Sequence, residues 1–183
     1  DLDQDALTTC VESGRYQDLV QANAMEGQVL GVTGTPTFFV NGYPIVGARP
    51  YELFELAFAL ADAGRLQDAF AQVPTPTPMP VGDIPVEGAP TLGEADAPVL
   101  IIEYSDYQCP YCSRYNDETF GQIKTNYIDT GIVRYVFKDF PLSFHEQAPL
   151  AAEAAHCAGD QGAYWEMHDL LFANQTAWSN DGA

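Results

Sequence analysis

Two cysteines three positions apart, Cys109 and Cys112, are the residues of this chain whose types and spacing best suit chemistry. They end the stretch VLIIEYSDYQCPYC, where an apolar run stops and an amphipathic segment begins. Thiols at this spacing in the first turn of a helix can close a disulfide, and the helix dipole favours a thiolate there. Pro110 suits that turn because its missing N–H would have no partner. The pattern predicts reversible dithiol chemistry.

Two structural interpretations compete with redox chemistry at these cysteines. Half of a zinc site would need two further ligands at similar spacing, but there is no second Cys-x-x-Cys. The histidines His145, His156 and His168 show no paired spacing, so we expect packed or surface side chains, no metal and no other cofactor. The second interpretation is an inert structural disulfide. A position on a strand-to-helix turn favours redox chemistry over both.

The two sulfurs are expected to differ. Cys109, at the exposed start of the predicted helix, is the candidate attacking sulfur. Cys112 lies one turn further in and faces the core, so it is the candidate resolving thiol. Tyr111 is best placed to tune the thiolate, in a direction that the sequence does not give. Tyr107 and Tyr111 could also form an exposed aromatic docking surface.

Two charged residues on predicted strands belong to the candidate site. Glu103 lies six residues before Cys109 on a buried strand, where a carboxylate is costly unless it is paired or used. Lys138, at the end of the following strand, could pair with it. The alternatives are an edge-exposed carboxylate and a surface lysine.

Three blocks of sequence must position these residues. Residues 1–72 are predicted to be helix-rich with one hairpin around Asn41-Gly42, a strong two-residue turn signal. Residues 73–90 contain PTPTPMP, which favours extended polyproline II and predicts a semi-rigid linker. Residues 91–183 begin with strands and end in helices. Alternating strands and helices predict an α/β sandwich.

The predicted strands and the helix after the cysteines have the following bounds. The hairpin pairs Thr37–Val40 with Tyr43–Val46, the strands of the third block are Val99–Tyr104 and Ile132–Phe137, and the helix runs from Cys109 to about Tyr127.

Charge and composition narrow the partners. The chain carries 26 acidic against 7 basic side chains, a formal net charge of −19, which repels phosphate backbones and anionic lipid surfaces. We therefore expect no nucleic-acid partner. No run is long and apolar enough to span a bilayer. The chain opens at Asp1 in what is predicted to be a helical region, so we expect the native N-terminus upstream and any targeting signal to lie outside this segment.

Four stretches of the sequence together resemble the DsbA family, which are thioredoxin-fold thiol–disulfide oxidoreductases with an inserted helical domain. These stretches are LGEADAPVLIIEYSDYQCPYC, VFKDFPL, AAEAAHCAGDQGAYWEMHDLLF and GVTGTPTFFVNG. The resemblance covers nearly everything except the linker. It implies an α/β, thioredoxin-like fold with an inserted α-helical domain.

The same resemblance assigns roles to individual residues. It implies that Pro36, after Thr35, is a cis-proline beside the disulfide, and that the Thr35 backbone binds an extended substrate peptide. It gives Glu103 the role of relaying the proton of the buried thiol. It also implies a second, structural disulfide between Cys10 and Cys157, with two buried reduced thiols as the alternative.

The expected function is that of an extracytoplasmic oxidase of protein dithiols. Cysteine-containing proteins would be its substrates, and a membrane protein would re-oxidise it. One alternative is a disulfide reductase or isomerase built from the same parts. Another is a structural assembly module made of interlocking thioredoxin-like halves, in which the thiols are incidental.

The order of the halves departs from the family. There the Cys-x-x-Cys half comes first, whereas here Pro36 precedes Cys109. We therefore expect residues 1–72 to be the C-terminal half of a DsbA-like unit, 73–90 a linker, and 91–183 an N-terminal half. Tandem units, a circular permutation and a domain swap between copies would each explain this order, and the last would bring self-association.

Overall fold

The structure is a computed structural model that describes residues 2–70 and 82–179. The strands, in chain order, are β1 (Thr37–Val40), β2 (Tyr43–Val46), β3 (Thr91–Leu92), β4 (Val99–Ser105) and β5 (Val133–Asp139). The helices are α1 (Gln4–Glu12), α2 (Gln17–Val29), α3 (Tyr51–Asp62), α4 (Leu66–Phe70), α5 (Pro110–Tyr115), α6 (Gly121–Ile123), α7 (Ala148–Gly159), α8 (Tyr164–Ala173) and α9 (Gln175–Trp178). Two π-helical segments, Asn116–Phe120 and Lys124–Ile128, continue α5 and α6 toward β5.

The five strands form one mixed sheet in the order β2-β1-β4-β5-β3. The central strands β4 and β5 are parallel, and β1 pairs antiparallel with β4, where Phe38 lies opposite Glu103. Strands from before and after the proline-rich segment therefore share a single sheet within this chain. The predicted α/β sandwich is confirmed.

Side chains alternate between the two faces of this sheet. The face that we call the α5 face carries Ile101 and Tyr135 and packs against α3 and the helical stretch that begins with α5. The opposite face, which we call the α2 face, carries Ile102 and Val136 and packs against α2. Glu103 and Ser105 follow Ile101 at two-residue steps, so they lie on the α5 face.

The helix α2 approaches the sheet most closely at Gly27. A Cβ atom at this position would lie 2.7 Å from Cδ2 of Phe140 and 3.0 Å from Cδ1 of Tyr104. Both rings are buried in the cluster on the α2 face. The absence of a side chain at Gly27 therefore sets the distance between this helix and the sheet.

The hairpin between β1 and β2 turns at the predicted residues. Asn41 and Gly42 have φ angles of 43° and 85°, and Val40 pairs with Tyr43 directly across the turn. Positive φ at both central residues is what a two-residue hairpin loop requires, and Asn-Gly adopts it at low cost. The prediction of this hairpin is confirmed.

Part of the predicted linker, residues 73–81, lies outside the described residues. The remainder packs against the fold, since Ile84 is buried and both Val86 and Ala89 contact the cluster on the α2 face. The Pro90 carbonyl accepts a hydrogen bond of 3.0 Å from the Phe137 amide. Apolar side chains give this end of the segment a place in the core, which its proline content did not predict.

No helix in the described ranges combines the length and the apolarity needed to cross a membrane.

Candidate active site

The Cys109–Cys112 segment lies where β4 leads into α5. Cys109 is the N-cap residue of α5 and Pro110 is its first residue, as the sequence predicts. Both cysteines are free thiols, with Cys109 only 3% exposed and Cys112 completely buried. The expectation that Cys109 is exposed is therefore wrong, because residues such as Thr35 from the loop before β1 pack against it.

The turn before Cys109 is held by hydrogen bonds to a buried carboxylate. Asp106 accepts from the backbone N–H of Gln108 at Oδ1 (2.7 Å) and from that of Leu142 at Oδ2 (2.8 Å), and Oδ2 also lies 2.8 Å from Nδ1 of His145. The Asp106 carbonyl accepts the Cys109 amide at 3.1 Å. One side chain thus ties the dithiol turn to the loop after β5.

The helical region after β5 supports the same turn through two amide side chains. Gln175 donates from Nε2 to the carbonyl oxygens of Tyr107 (2.7 Å) and Cys109 (3.1 Å). Gln108 donates to the Ser179 carbonyl at 3.0 Å and accepts the Gln147 amide at 2.8 Å. These contacts fix the backbone that presents the thiols.

The loop before β1 brings Thr35 against Cys109, although 74 residues separate them. The Thr35-Pro36 peptide bond is cis, and the Cys109 thiol donates to the Thr35 carbonyl with an Sγ–O distance of 3.5 Å. The structure therefore brings together Thr35, Pro36 and the dithiol from opposite ends of the chain.

The pKa values of the two thiols are shifted in opposite directions. Hydrogen bonding from the Cys112 thiol, aided by Thr35 and by the backbone N–H groups of Cys112 and Tyr111, lowers the pKa of Cys109 to about 6. Burial is the main cause that raises the pKa of Cys112 well above its ordinary value, and its neighbour's charge adds to this. At neutral pH the negative charge therefore resides on Cys109.

Glu103 lies on the α5 face of the sheet, completely enclosed by neighbouring side chains. Burial raises the pKa of its carboxyl to about 7, although the hydrogen bond from Tyr135 and the nearby Ser105 hydroxyl oppose the shift. Tyr135 on β5 donates its hydroxyl to Oε2 of Glu103. A carboxyl with this pKa can both give and take a proton near neutral pH.

The prediction that Lys138 pairs with Glu103 is wrong. Lys138 lies opposite Tyr104 in the register of β4 and β5, so its side chain leaves the α2 face, whereas that of Glu103 leaves the α5 face. Lys138 instead donates to Glu26 of α2 at 2.7 Å, and Tyr104 also hydrogen bonds to Glu26. The sheet separates Lys138 from the thiols, which places it outside the candidate site.

A cleft of about 390 Å³ opens beside Cys109. It is lined by Thr33, Gly34, Thr35, Cys109, Pro110, Tyr111, Leu142, Phe144 and His145. Tyr111 and Phe144 are exposed at 57% and 72%, but Tyr107 is buried among Phe137, Tyr164 and Phe172. Tyr107 is therefore no part of an exposed docking surface, because it packs inward against α8.

Cys10 and Cys157 form a disulfide between α1 and α7. This bond lies in the helical region, away from the cleft, and it joins positions 147 residues apart. Within residues 2–70 and 82–179, no three His, Cys, Asp or Glu side chains are placed to hold a metal ion.

Several polar residues around the thiols were not predicted from the sequence, namely Ser105, Asp106, Gln108 and Gln175. A signal existed for Asp106, since aspartate commonly binds the backbone amide two residues ahead in a turn. The other three act through contacts with distant parts of the chain, which spacing does not reveal.

A mixed sheet between helices, with a dithiol at a helix start facing a cis-proline loop, defines the thioredoxin class of proteins. A family model described as thioredoxin matches residues 86–183, and one described as a DSBA-like thioredoxin domain matches residues 1–59. The chain belongs to the thioredoxin family and is DsbA-like within it. The predicted family and thioredoxin-like fold are thereby confirmed.

Individual relatives match about half of the chain. It is 46% identical over 84 residues to Na(+)/H(+) antiporter NhaA 1 of Salinispora arenicola, covering 45% of this chain and 12% of that protein. It is 36% identical over 98 residues to disulfide bond formation protein D of Bacillus subtilis, covering 51% and 43%. The crystal structure of oxidised BdbD from Bacillus subtilis is 34% identical, with a TM-score of 0.45 over 53% of each chain. The chain spans less than half the length of these two curated relatives.

Proposed function

We propose that this chain acts as an extracytoplasmic thiol–disulfide oxidoreductase, and specifically as an oxidase of protein dithiols through a Cys109–Cys112 disulfide. The observation that carries the proposal is the pairing of one low-pKa sulfur, at about 6, with one fully buried thiol beside the Thr35-Pro36 loop. A couple whose reduced form is stabilised as a thiolate is the more oxidising for it.

The reaction balances without a cofactor. A substrate thiolate attacks Sγ of Cys109, the Cys109–Cys112 bond breaks, and Cys112 leaves as a thiolate that takes up a proton. The second substrate thiolate then attacks the substrate sulfur of the mixed disulfide, and Cys109 leaves as a thiolate. Two electrons pass from the substrate to the protein, and the substrate gains one disulfide.

The cleft supports a protein substrate. Thr35 lines it and has backbone groups that an extended peptide can bind, while the exposed rings of Tyr111 and Phe144 give the cleft apolar surface. The roles of Pro36 and Pro110 are to shape the backbone on either side of Cys109. Glu103 exchanges the proton of Cys112.

Location and partners follow from the same chemistry. The Cys10–Cys157 disulfide favours an oxidising compartment outside the cytoplasm. After each turnover the dithiol must be re-oxidised, for which we propose a membrane protein as the electron acceptor. A similarity to disulfide bond formation protein D supports the oxidising direction over reduction or isomerisation.

The experiment is single-turnover oxidation of a peptide with two cysteines by the disulfide form of the protein. We expect stoichiometric oxidation by the unaltered protein and none by Cys109→Ser. Cys112→Ala is tested with a one-cysteine peptide whose sulfur is activated as its disulfide with 2-nitro-5-thiobenzoate. The Cys109 thiolate should displace thionitrobenzoate and leave a stable mixed disulfide with the peptide. Ser13→Ala, remote from the cleft, serves as the control. Retained oxidation by Cys109→Ser would refute the proposal, and a protein that only reduces disulfides would reverse its direction.

A further inference from the structure

One buried hydroxyl beside the dithiol, that of Ser105, takes no part in the thiol–disulfide exchange itself. Ser105 ends β4 and is 1% exposed, and its Oγ finds no hydrogen-bond partner among the residues that the structure describes. A buried hydroxyl without a partner is costly, and native proteins rarely keep one. Ser105 lies near Glu103 and Cys112, which both exchange protons, and this position gives a reason for keeping a hydroxyl there.

The sheet places Ser105 on the same side as the catalytic groups. Glu103 and Ser105 are two residues apart on β4, so both side chains leave the α5 face. Cys112 packs on that face too, in one buried cluster with Phe137, which lies directly opposite Glu103 in the register. The hydroxyl therefore shares an enclosed space with the carboxyl and the inner thiol.

From this arrangement, and on the basis of the proposed function, we propose that the Ser105 hydroxyl relays the proton between Glu103 and Cys112. When the disulfide opens, Oγ–H of Ser105 donates to the Cys112 thiolate while Oγ accepts the proton of the Glu103 carboxylic acid. The carboxyl becomes a carboxylate, the thiolate becomes a thiol and the serine is unchanged. Re-oxidation runs the same two transfers backwards.

The electrostatics of the pair agree with a relay. The Ser105 hydroxyl lowers the pKa of Glu103 and also that of Cys112, because its O–H can turn toward either group when that group is charged, although burial raises both pKa values overall. The hydroxyl therefore stabilises the charged form of both Glu103 and Cys112, as expected of a group that can donate a proton to either. In the neutral dithiol it has no acceptor, and it gains one whenever Cys112 becomes a thiolate.

Few other groups can titrate in this enclosure. The phenols that face Glu103 are Tyr107, Tyr115, Tyr135 and Tyr164, and burial raises the pKa of each well above its ordinary value. The pKa of Glu103 is about 7 and that of Cys109 about 6, whereas burial raises the pKa of Cys112 well above its ordinary value. A change in the pH profile can therefore be assigned to this set.

Ser105→Ala removes the hydroxyl and leaves the fold intact, because no hydrogen bond is lost in the neutral dithiol. In single-turnover peptide oxidation at pH 7, we expect the rate of the Ser105→Ala variant to be roughly tenfold lower than that of the unaltered protein, which is the effect of one hydrogen bond to a charged group.

The dependence of the rate on pH that Glu103 confers should also vanish in this variant. In a Glu103→Gln background the same substitution should have no further effect, since the relay has no donor left. Ser13→Ala is the matched control, with a rate equal to that of the unaltered protein.

A second measurement needs no variant. Transfer of two protons in one step gives a curved dependence of the rate on the deuterium fraction of the solvent, whereas direct transfer from Glu103 gives a straight line. The relay would be overturned by a straight line, by an unchanged rate in Ser105→Ala, or by an equal slowing in the Glu103→Gln background. None of these results would contradict the proposed function, which fails only if the unaltered protein does not oxidise the peptide.

Discussion

Cys109 and Cys112 occupy one turn of helix, yet their surroundings move their pKa values in opposite directions. The outer sulfur receives hydrogen bonds from a thiol and from two backbone N–H groups, whereas the inner sulfur is enclosed by apolar side chains. In the proposed reaction this asymmetry favours attack at Cys109, because such attack expels the sulfur that is most readily protonated.

The largest cause of the low pKa at Cys109 is the hydrogen bond from Cys112, so removing that donor should raise the pKa. We expect Cys112→Ala to move the midpoint of Cys109 alkylation by iodoacetamide upward from about pH 6, and Cys112→Ser, which keeps an O–H donor, to move it less. Mass spectrometry of the alkylated protein over pH 4–10 measures both midpoints. Equal midpoints in the two variants would contradict this account.

Glu103 links the site to stability. Its pKa rises from 4.5 in the unfolded chain to about 7 in the fold, so its neutral form favours folding below pH 4.5 and that contribution is lost as the pH rises through 7. Glu103→Gln removes this loss. We expect the variant to gain up to about 3 kcal/mol over the unaltered reduced protein between pH 4.5 and pH 8, at roughly 1.4 kcal/mol per pKa unit.

Urea unfolding of the reduced proteins at a series of pH values measures this difference. Glu118→Gln, which alters an exposed carboxylate in the π-helical segment Asn116–Phe120, should show no such trend. A constant difference between Glu103→Gln and the unaltered protein across the pH range would show that the buried carboxyl titrates normally.

The single residues differ in how far the sequence alone predicts them. The thiols, Pro110 and the buried carboxyl at Glu103 follow from local spacing and strand burial. Ser105 and Asp106 were missed because the groups around them come from elsewhere in the chain. Ser105 lies near Cys112 of α5, and Asp106 accepts a hydrogen bond from the backbone of Leu142.

At the scale of elements, β4 carries two sets of side chains with different tasks. Its α5 face holds Glu103 and Ser105 beside the thiols, and its α2 face holds Tyr104 in a polar cluster with Lys138 and Glu26. The strands themselves could be predicted from their apolar runs, but the register in which they pair could not. If β4 and β5 paired with a shift of one residue, Lys138 would lie opposite Glu103 and on the same face.

The close approach of α2 makes Gly27 a sensitive position. We expect Gly27→Ala to lower the free energy of unfolding by about 1–3 kcal/mol, because the rigid rings of Phe140 and Tyr104 must move to admit the methyl group. Gly121→Ala is the matched control. Its added Cβ meets no atom within 4 Å, so a helix-favouring residue there should stabilise by about 0.5–1 kcal/mol.

Denaturant unfolding of the two alanine variants and of the unaltered protein measures both effects. Equal stabilities of Gly27→Ala and the unaltered protein would mean that α2 lies further from the sheet than the structure shows.

At the scale of the whole molecule, the sheet is assembled from two stretches of chain on either side of the proline-rich segment. The loop of Thr35 and Pro36 leads into β1, and the dithiol follows β4 at the start of α5. The pairing of β1 with β4 therefore brings the two parts of the site together. The sequence could predict both stretches and their unusual order. It could not predict that one copy of the chain closes the sheet, because a swapped or tandem arrangement satisfies the same local patterns.

Closure within one chain makes the linker dispensable once the protein has folded. We expect a site-specific protease sequence inserted within residues 73–81 to be cut without separating the halves, because β1 and β4 stay paired and the Cys10–Cys157 disulfide also joins the two fragments. In the Cys10→Ala/Cys157→Ala variant, only the sheet and its packing hold the two fragments together after cleavage. The fragments should still elute together at micromolar concentration. Their free energy of unfolding should now depend on protein concentration, because the linker no longer keeps the halves near each other. Light scattering during gel filtration measures the mass before and after cleavage. The mass of a monomer both before and after cleavage supports closure within one chain. The mass of a dimer before cleavage shows that the halves pair between two copies.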